Sequence, residues 1–149
     1  MFTKLVNSIE YEMNINKEDF SSEKIKECIN NYTYNNEFNQ LLCNSNTQKK
    51  IKIFENDLFD VYIIIWNIYE RSNIHNHAEN GCWLKVLKGT LEENLYDSDL
   101  NYVTRKTVHN NDASFIKNNI GYHNIINIGN EKALTLHIYS PKDHKTIYY

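Results

Sequence analysis

The stretch Ile74-His75-Asn76-His77-Ala78-Glu79-Asn80-Gly81-Cys82, followed after six intervening residues by Gly89, decides how this chain is read. Two of the six histidines stand two apart, just ahead of an apolar run, Cys82-Trp83-Leu84-Lys85-Val86-Leu87. Residues two apart on a strand project to the same face. One strand is therefore expected to aim both imidazoles at a single ion, and imidazole suits iron, zinc, nickel and copper. The plain alternative is a pair of surface histidines in a polar loop.

A third histidine follows downstream. Asp112-Ala113-Ser114-Phe115-Ile116 leads through Lys117-Asn118-Asn119-Ile120 to Gly121-Tyr122-His123, with Asn127 four residues on. Together the two stretches resemble the paired motifs of the cupin barrels. The first of those motifs runs as a histidine pair, four or five residues, an acidic residue, six more and a glycine, matching His75 through Gly89. In that family the motifs supply metal ligands from separate strands of a small β-barrel. Here Cys82 stands where the acidic ligand belongs. That departure resembles the cysteine dioxygenases, the thiol dioxygenases of the cupin superfamily, with three histidines, no carboxylate and a cysteine in the glutamate's place. The resemblance implies His75, His77 and His123 as metal ligands.

The segment Ala133-Leu134-Thr135-Leu136-His137-Ile138-Tyr139-Ser140-Pro141 carries a second, independent resemblance to the same family. By period two, Thr135, His137 and Tyr139 share one face of a strand, and Leu134, Leu136 and Ile138 the other. On pattern alone this is an ordinary half-buried strand with its polar side outward. The resemblance implies more. Tyr139 would turn its hydroxyl to oxygen or substrate, His137 would hold that hydroxyl, and Thr135 would hold His137. In some members the cysteine at the place of Cys82 is joined covalently to the tyrosine at the place of Tyr139, and both partners occur here. Cys82 read by itself is a small buried hydrophobe, as most free cysteines are. The motifs span about Phe59 to Pro141, in the family's order.

Substrate recognition departs from the family. Cysteine dioxygenases clamp the substrate carboxylate with an arginine shortly before an early strand. This chain has no arginine before Arg71, and laying Phe54-Glu55-Asn56-Asp57 over the region puts Lys50 or Lys49 there. Lysine offers a point charge rather than a rigid bidentate fork. Lys50 is thus expected to bind substrate together with Tyr139, against the alternative of a solvated edge-strand lysine.

The chemistry follows from the ligands. Three neutral imidazoles leave the full positive charge on a divalent ion, which can then accept an anionic substrate. A metal deprotonates a coordinating thiol. The familiar oxygenase triad has two histidines and a carboxylate; the all-histidine version is what the resemblance implies. The implied reaction places both atoms of dioxygen on sulfur, at the sulfinate level. Fe(2+) is the expected cofactor, since zinc could take the same ligands but carries no electrons to dioxygen. L-cysteine is the expected substrate, with another small thiol such as 3-mercaptopropionate as the alternative. Competing readings are a metal-binding cupin without catalysis, and an isomerase or different dioxygenase needing the missing carboxylate. Glu79 is the only acidic residue near, two after His77 rather than four or five, and a loop role is expected for it.

Composition bounds the rest. At 149 residues the chain is read as one domain, residues 1–46 helical and 47–149 a jelly-roll-like cupin β-barrel, mainly β with a short N-terminal helical cap. A net charge of −3 with scattered Lys and Arg argues against a nucleic-acid surface. No apolar run reaches the ~18 residues of a membrane span, and Met1-Phe2-Thr3-Lys4 leads into a polar stretch rather than a signal core. Cys28, Cys43 and Cys82 form no paired framework, so a reducing, cytoplasmic setting is expected, and a monomer.

Ser21 or Ser22 is expected to cap a helix through Glu23–Ile29, and Asn36–Leu42 to form a second short one. From Lys50 the pattern turns to strands: Lys50–Ile53, Val61–Trp66, Trp83–Leu87, Leu91–Tyr96, Tyr102–Val108, Ser114–Ile116, Asn124–Ile128 and Leu134–Tyr139. Turns fall at Asn56-Asp57, Gly89, Asp97-Ser98-Asp99, Asn110-Asn111-Asp112 and Gly129-Asn130.

Overall fold

A computed structural model describes residues 2–43 and 49–149; the expected boundary between Asn46 and Thr47 lies outside them. Helices α1 (Phe2–Ile15) and α2 (Ser22–Asn30) and a 3-10 turn, Asn39–Cys43, precede eight strands. These are β1 (Lys50–Glu55), β2 (Asp60–Trp66), β3 (Gly81–Lys88), β4 (Leu91–Tyr96), β5 (Tyr102–Val108), β6 (Ala113–Ile116), β7 (Tyr122–Asn127) and β8 (Ala133–Ser140). The strands build two antiparallel sheets, one ordered β1-β2-β8-β3-β6 and the other β5-β4-β7. This is the expected mainly β barrel with helices at its N-terminal side.

The central strands of the five-stranded sheet, β2, β8 and β3, are buried on both faces, and the two faces differ. Val61, Ile63, Ile65, Trp83, Leu87, Leu134, Leu136 and Ile138 point outward into a cluster with Leu5, Val6, Ile9 and Met13 of α1 and Ile25 and Ile29 of α2. The inward face meets the three-stranded sheet in a second cluster, with Trp66, Leu84 and Val86 against Leu91, Val108 and Ile125. The N-terminal span is expected to be helical, but the sequence pattern does not delimit α1 itself. Its stripe of Leu5, Ile9 and Met13 at four-residue spacing sits among asparagines and acidic residues. An isolated helix of this length is marginal in water, so burial of that stripe is what holds it.

Local chemistry sets the helix ends. Ser21, not Ser22, caps α2, its hydroxyl accepting from Lys24 N at 3.3 Å. At the other end the buried Lys85 of β3 reaches across and donates to the carbonyls of Ile29 (2.9 Å) and Asn30 (3.3 Å). A cation there satisfies carbonyls that the helix leaves unpaired. The short helix expected from Asn36 begins at Asn39 instead, and as a 3-10 turn. Asn36 adopts a left-handed φ of 62°, Glu37 accepts from the Tyr32 hydroxyl, and Tyr34 Oη donates to Asn39 Oδ1 at 2.6 Å, which fixes a turn before the helix can start.

Gly89 closes the first motif for a steric reason. It turns the chain from β3 to β4 at φ +95°, and a Cβ there would stand 2.7 Å from Ala133 Cβ. That turn carries the chain from one sheet to the other, so β3 and β4 enclose the space between them.

Candidate metal centre

His75 and His77 lie in the connection between β2 and β3, not on a regular strand as the two-residue spacing suggested. The backbone there is held extended by single bridges: His75 pairs with His123 of β7 on one side and with Tyr148 on the other. His75 N donates to His123 O at 3.1 Å, and His77 N to Asn118 Oδ1 at 2.8 Å. Alternation survives without a ladder, so the two rings still come together, with centroids 5.2 Å apart. His123 arrives from β7, started by Gly121 at φ +145°, where a Cβ would lie 2.4 Å from Tyr96 O.

The ring nitrogens of His75, His77 and His123 offer ligand atoms all within 4.8 Å of one another. His75 Nε2 and His123 Nε2 stand 3.1 Å apart. The far nitrogens explain what these atoms carry. His75 Nδ1 faces the carbonyl of Asn73 at 2.8 Å, and His123 Nδ1 faces the carboxylate of Glu93 at 2.7 Å. Both partners only accept, so both Nδ1 atoms are N–H donors. The two Nε2 atoms therefore turn toward each other, the disposition of two nitrogens that share one cation. Two nitrogens bound to one ion at about 2.1 Å and at a right angle sit about 3.0 Å apart. His77 is 1% exposed, and neither of its ring nitrogens has a partner among the described residues. A buried imidazole without partners is costly, and a metal ion would satisfy it. The donor set therefore fits a divalent cation.

Electrostatics agree. Burial, reinforced by His123, pushes His75 down to about 4. Burial holds His77 far below the ordinary histidine range, so both rings are neutral ligands at neutral pH. Glu93 is pulled down to about 2, because hydrogen bonding and charge from His123, with Lys106 and Ser114, outweigh its burial.

Strand β8 brings Thr135, His137 and Tyr139 to the inward face. Thr135 Oγ1 accepts from the Trp66 indole at 2.9 Å, donates to the Ile64 carbonyl at 3.5 Å and stands 2.8 Å from His137 Nε2. His137 Nδ1 faces Cys82 Sγ, 3.8 Å away. The expected hold of His137 on the Tyr139 hydroxyl is absent among the described residues; the two rings stack instead, with centroids 6.0 Å apart and planes at 15°. A spacing of two along one strand lays the rings side by side. Cys82 lies directly opposite Tyr139 in the β3–β8 register, and both belong to one apolar cluster with Ala78 and Ile116. Burial pushes the Cys82 thiol up to about 12 and holds the Tyr139 phenol well above its usual range, so both stay protonated.

Lys50 opens edge strand β1. It is exposed as a residue, but its ammonium lies 4.5 Å from the Tyr62 ring centroid and 4.7 Å from that of Tyr139. Desolvation there lowers its pKa. Lys49 turns away to pair with Glu70. Arg71 and Arg105 are exposed, and Arg105 pairs with Glu92 on the three-stranded sheet. Glu79 is exposed in the turn before β3, as expected of a loop residue. A second gathering of acidic groups, Glu55, Asp60 and Asp143, already surrounds an ammonium: Lys52 Nζ is 3.0, 3.7 and 3.4 Å from them. Glu93, the partner of His123, escaped the sequence reading, although it stands in phase with Leu91 and Leu95 on an inward strand face.

Known proteins give this arrangement a family. Among solved structures, a protein from Bacillus halodurans superposes with a TM-score of 0.61 at 19% identity, over 77% of this chain and 84% of that one. A double-stranded β-helix domain protein from Klebsiella pneumoniae gives 0.59 at 15% identity, over 78% and 97%. At such identities the likeness shows the fold alone. In sequence, cysteine dioxygenase type 1 of Rattus norvegicus is 33% identical over 93 residues, and that of Homo sapiens 36% over 93; each match covers 58% of this chain and 46% of the relative. The matched region thus spans about half the length of those relatives. The family model described as cysteine dioxygenase type I matches residues 7–148, nearly the whole chain, which therefore belongs to the cysteine dioxygenase type I family.

Proposed function

We propose that this protein is an iron-dependent thiol dioxygenase converting L-cysteine and dioxygen to cysteine sulfinate. The observation that carries the reading is the convergence of three imidazoles, two with Nε2 atoms 3.1 Å apart and one with no other partner among the described residues, beside the buried Cys82–Tyr139 pair. Family membership supports it. The overall change is RSH + O2 → RSO2H. Sulfur gives up four electrons and dioxygen takes four, so no further reductant is needed.

His75, His77 and His123 would hold Fe(2+), which supplies the Lewis acidity that ionises the thiol and the one-electron chemistry that dioxygen requires. The side chains do the rest. Lys50, above the Tyr62 and Tyr139 rings, receives the substrate carboxylate as a point charge. Tyr139 keeps its proton because it is buried, so its hydroxyl is a standing donor toward substrate or oxygen. Thr135 fixes the tautomer of His137, and that ring, stacked on Tyr139, limits where the phenol can swing. Tyr62, Ile116 and Leu95 line this corner with apolar surface and keep water from the reacting sulfur.

The test is reconstitution with iron(II) under anaerobic conditions, then measurement of oxygen uptake and sulfinate over a panel of L-cysteine, 3-mercaptopropionate and cysteamine. One sulfinate formed per dioxygen, with cysteine preferred, is the expected result. Preference for 3-mercaptopropionate would keep the reaction and change the substrate. Tight iron binding without uptake on any thiol would leave a metal-binding protein.

A further inference from the structure

The three imidazoles are not held alike. His75 donates to a neutral carbonyl, and His77 has no partner on either nitrogen among the described residues. Only His123 donates to a carboxylate, at 2.7 Å, and Glu93 is 6% exposed. The other oxygen of Glu93 is fixed by Ser114 Oγ at 2.9 Å and Lys106 Nζ at 3.1 Å. Three strands combine to aim it: Glu93 from β4, Ser114 from β6 and Lys106 from β5.

A role in stability alone explains this poorly. Burying a carboxylate costs several kcal/mol unless it is fully paired. Leucine at this position would continue the inward phase of Leu91 and Leu95 and pack against Ile125 without that cost. The shortest contact of the carboxylate is the one to His123, and a carboxylate on the far nitrogen of a ligating histidine fixes its tautomer and raises its basicity.

We infer that Glu93 is a positioning residue that supplies to the metal, through His123, the negative charge that Cys82 withholds from the ligand set. The inference rests on the proposed iron site. Two histidines and a carboxylate would place that charge on the metal directly; here it stands one imidazole away. A metal held by the three imidazoles would keep free the position that an inner carboxylate would fill, yet would not face the substrate as a bare dication. His123 becomes the strongest donor of the three.

The test is Glu93→Gln, which keeps the volume and an acceptor for His123 but removes the charge. Chelator competition with iron(II) and with cobalt(II), a redox-silent spectroscopic probe, should show binding weakened about ten- to a hundredfold. The visible bands of the cobalt protein should shift, and the iron(III)/iron(II) potential should rise, because loss of an anion favours the ferrous ion. Ser114→Ala, which loosens the carboxylate but leaves its charge, should weaken cobalt binding in the same direction by less, and it carries the test if Glu93→Gln does not fold. Unchanged affinity, bands and potential in these variants, with at most a lower metal-free melting temperature, would assign Glu93 to packing and overturn the inference. A wild-type protein that bound neither metal would instead defeat the iron site itself.

Discussion

Strand β8 has two buried faces with opposite characters. Leu134, Leu136 and Ile138 look out toward α1 and α2, while Thr135, His137 and Tyr139 look in toward the histidine cluster. The outer face is made of interchangeable apolar volume, and its energy comes from area removed from water. The inner face is made of specific donors and acceptors, each partner fixed: Trp66 on Thr135, Thr135 on His137, Cys82 opposite Tyr139. One strand thus joins the part that holds the fold to the part that offers chemistry. Substitutions on the two faces should fail in different ways, and four experiments test that separation.

The largest effect belongs to the inner side. Replacing His75, His77 or His123 by alanine should lower bound iron and abolish thiol-dependent oxygen uptake, whereas His109, exposed at the end of β5, should be dispensable. Metal analysis and an oxygen electrode check both. A His123→Ala protein with full activity would remove the third ligand and dissolve the inner face as a functional unit.

Next comes the outer side. Leu136 is 1% exposed in the cluster beneath the helices. Leu136→Ala should cost about 2–5 kcal/mol through lost transfer and a residual cavity, read as a lower denaturation midpoint. Iron per folded molecule and turnover at low temperature should hold. Lost metal at an unchanged midpoint would show that the faces are coupled through the strand and do not act separately.

Legibility followed the same division. The strands were readable because period-two alternation and turn residues are local signals, and they fell within a few residues of where they lie. The histidine pair was readable as a pair, but not its setting, because single bridges to β7 and to Tyr148 hold the loop extended and leave no mark nearby. The bounds of helix α1 hid because its apolar stripe is thin and its stability comes from the sheet beneath it. Glu93 hid because its partner is thirty positions away, and only its wrong chemistry in an apolar phase hinted at a role. The separation of the Tyr139 hydroxyl from His137 required ring geometry, which no pattern of residue types carries.

A smaller effect is expected at the mouth. Losing the charged contact of Lys50 with a substrate carboxylate should cost about 1.5–3 kcal/mol, or about ten- to a hundredfold in kcat/KM for cysteine, more in KM than in kcat. Cysteamine, which lacks the carboxylate, should be a poor substrate for the wild type and indifferent to Lys50→Ala. Equal use of both thiols by the wild type would show that no carboxylate clamp operates. Lys50 would then be an edge-strand lysine resting on two rings.

The smallest change is covalent. Cys82 and Tyr139 are register partners on adjacent strands, inside one apolar cluster, with His137 at the sulfur. Both are protonated at neutral pH, since burial raises each, so sulfur does not attack unaided. A separate dioxygen, not incorporated into product, can take the thiol hydrogen and one ring hydrogen and leave as hydrogen peroxide while sulfur joins the tyrosine ring. The intact mass should then fall by about two daltons in a form that reducing agents do not reverse, unlike a disulfide. Cys82→Ser should abolish the mass change yet retain activity, because this sulfur is neither ligand nor proton donor. Tyr139→Phe should cost considerably more, since it removes the donor itself while leaving the aromatic volume that packs against Tyr62. Undiminished sulfinate production by Tyr139→Phe would return the inner face of β8 to the status of the outer one, packing surface with polar atoms on it.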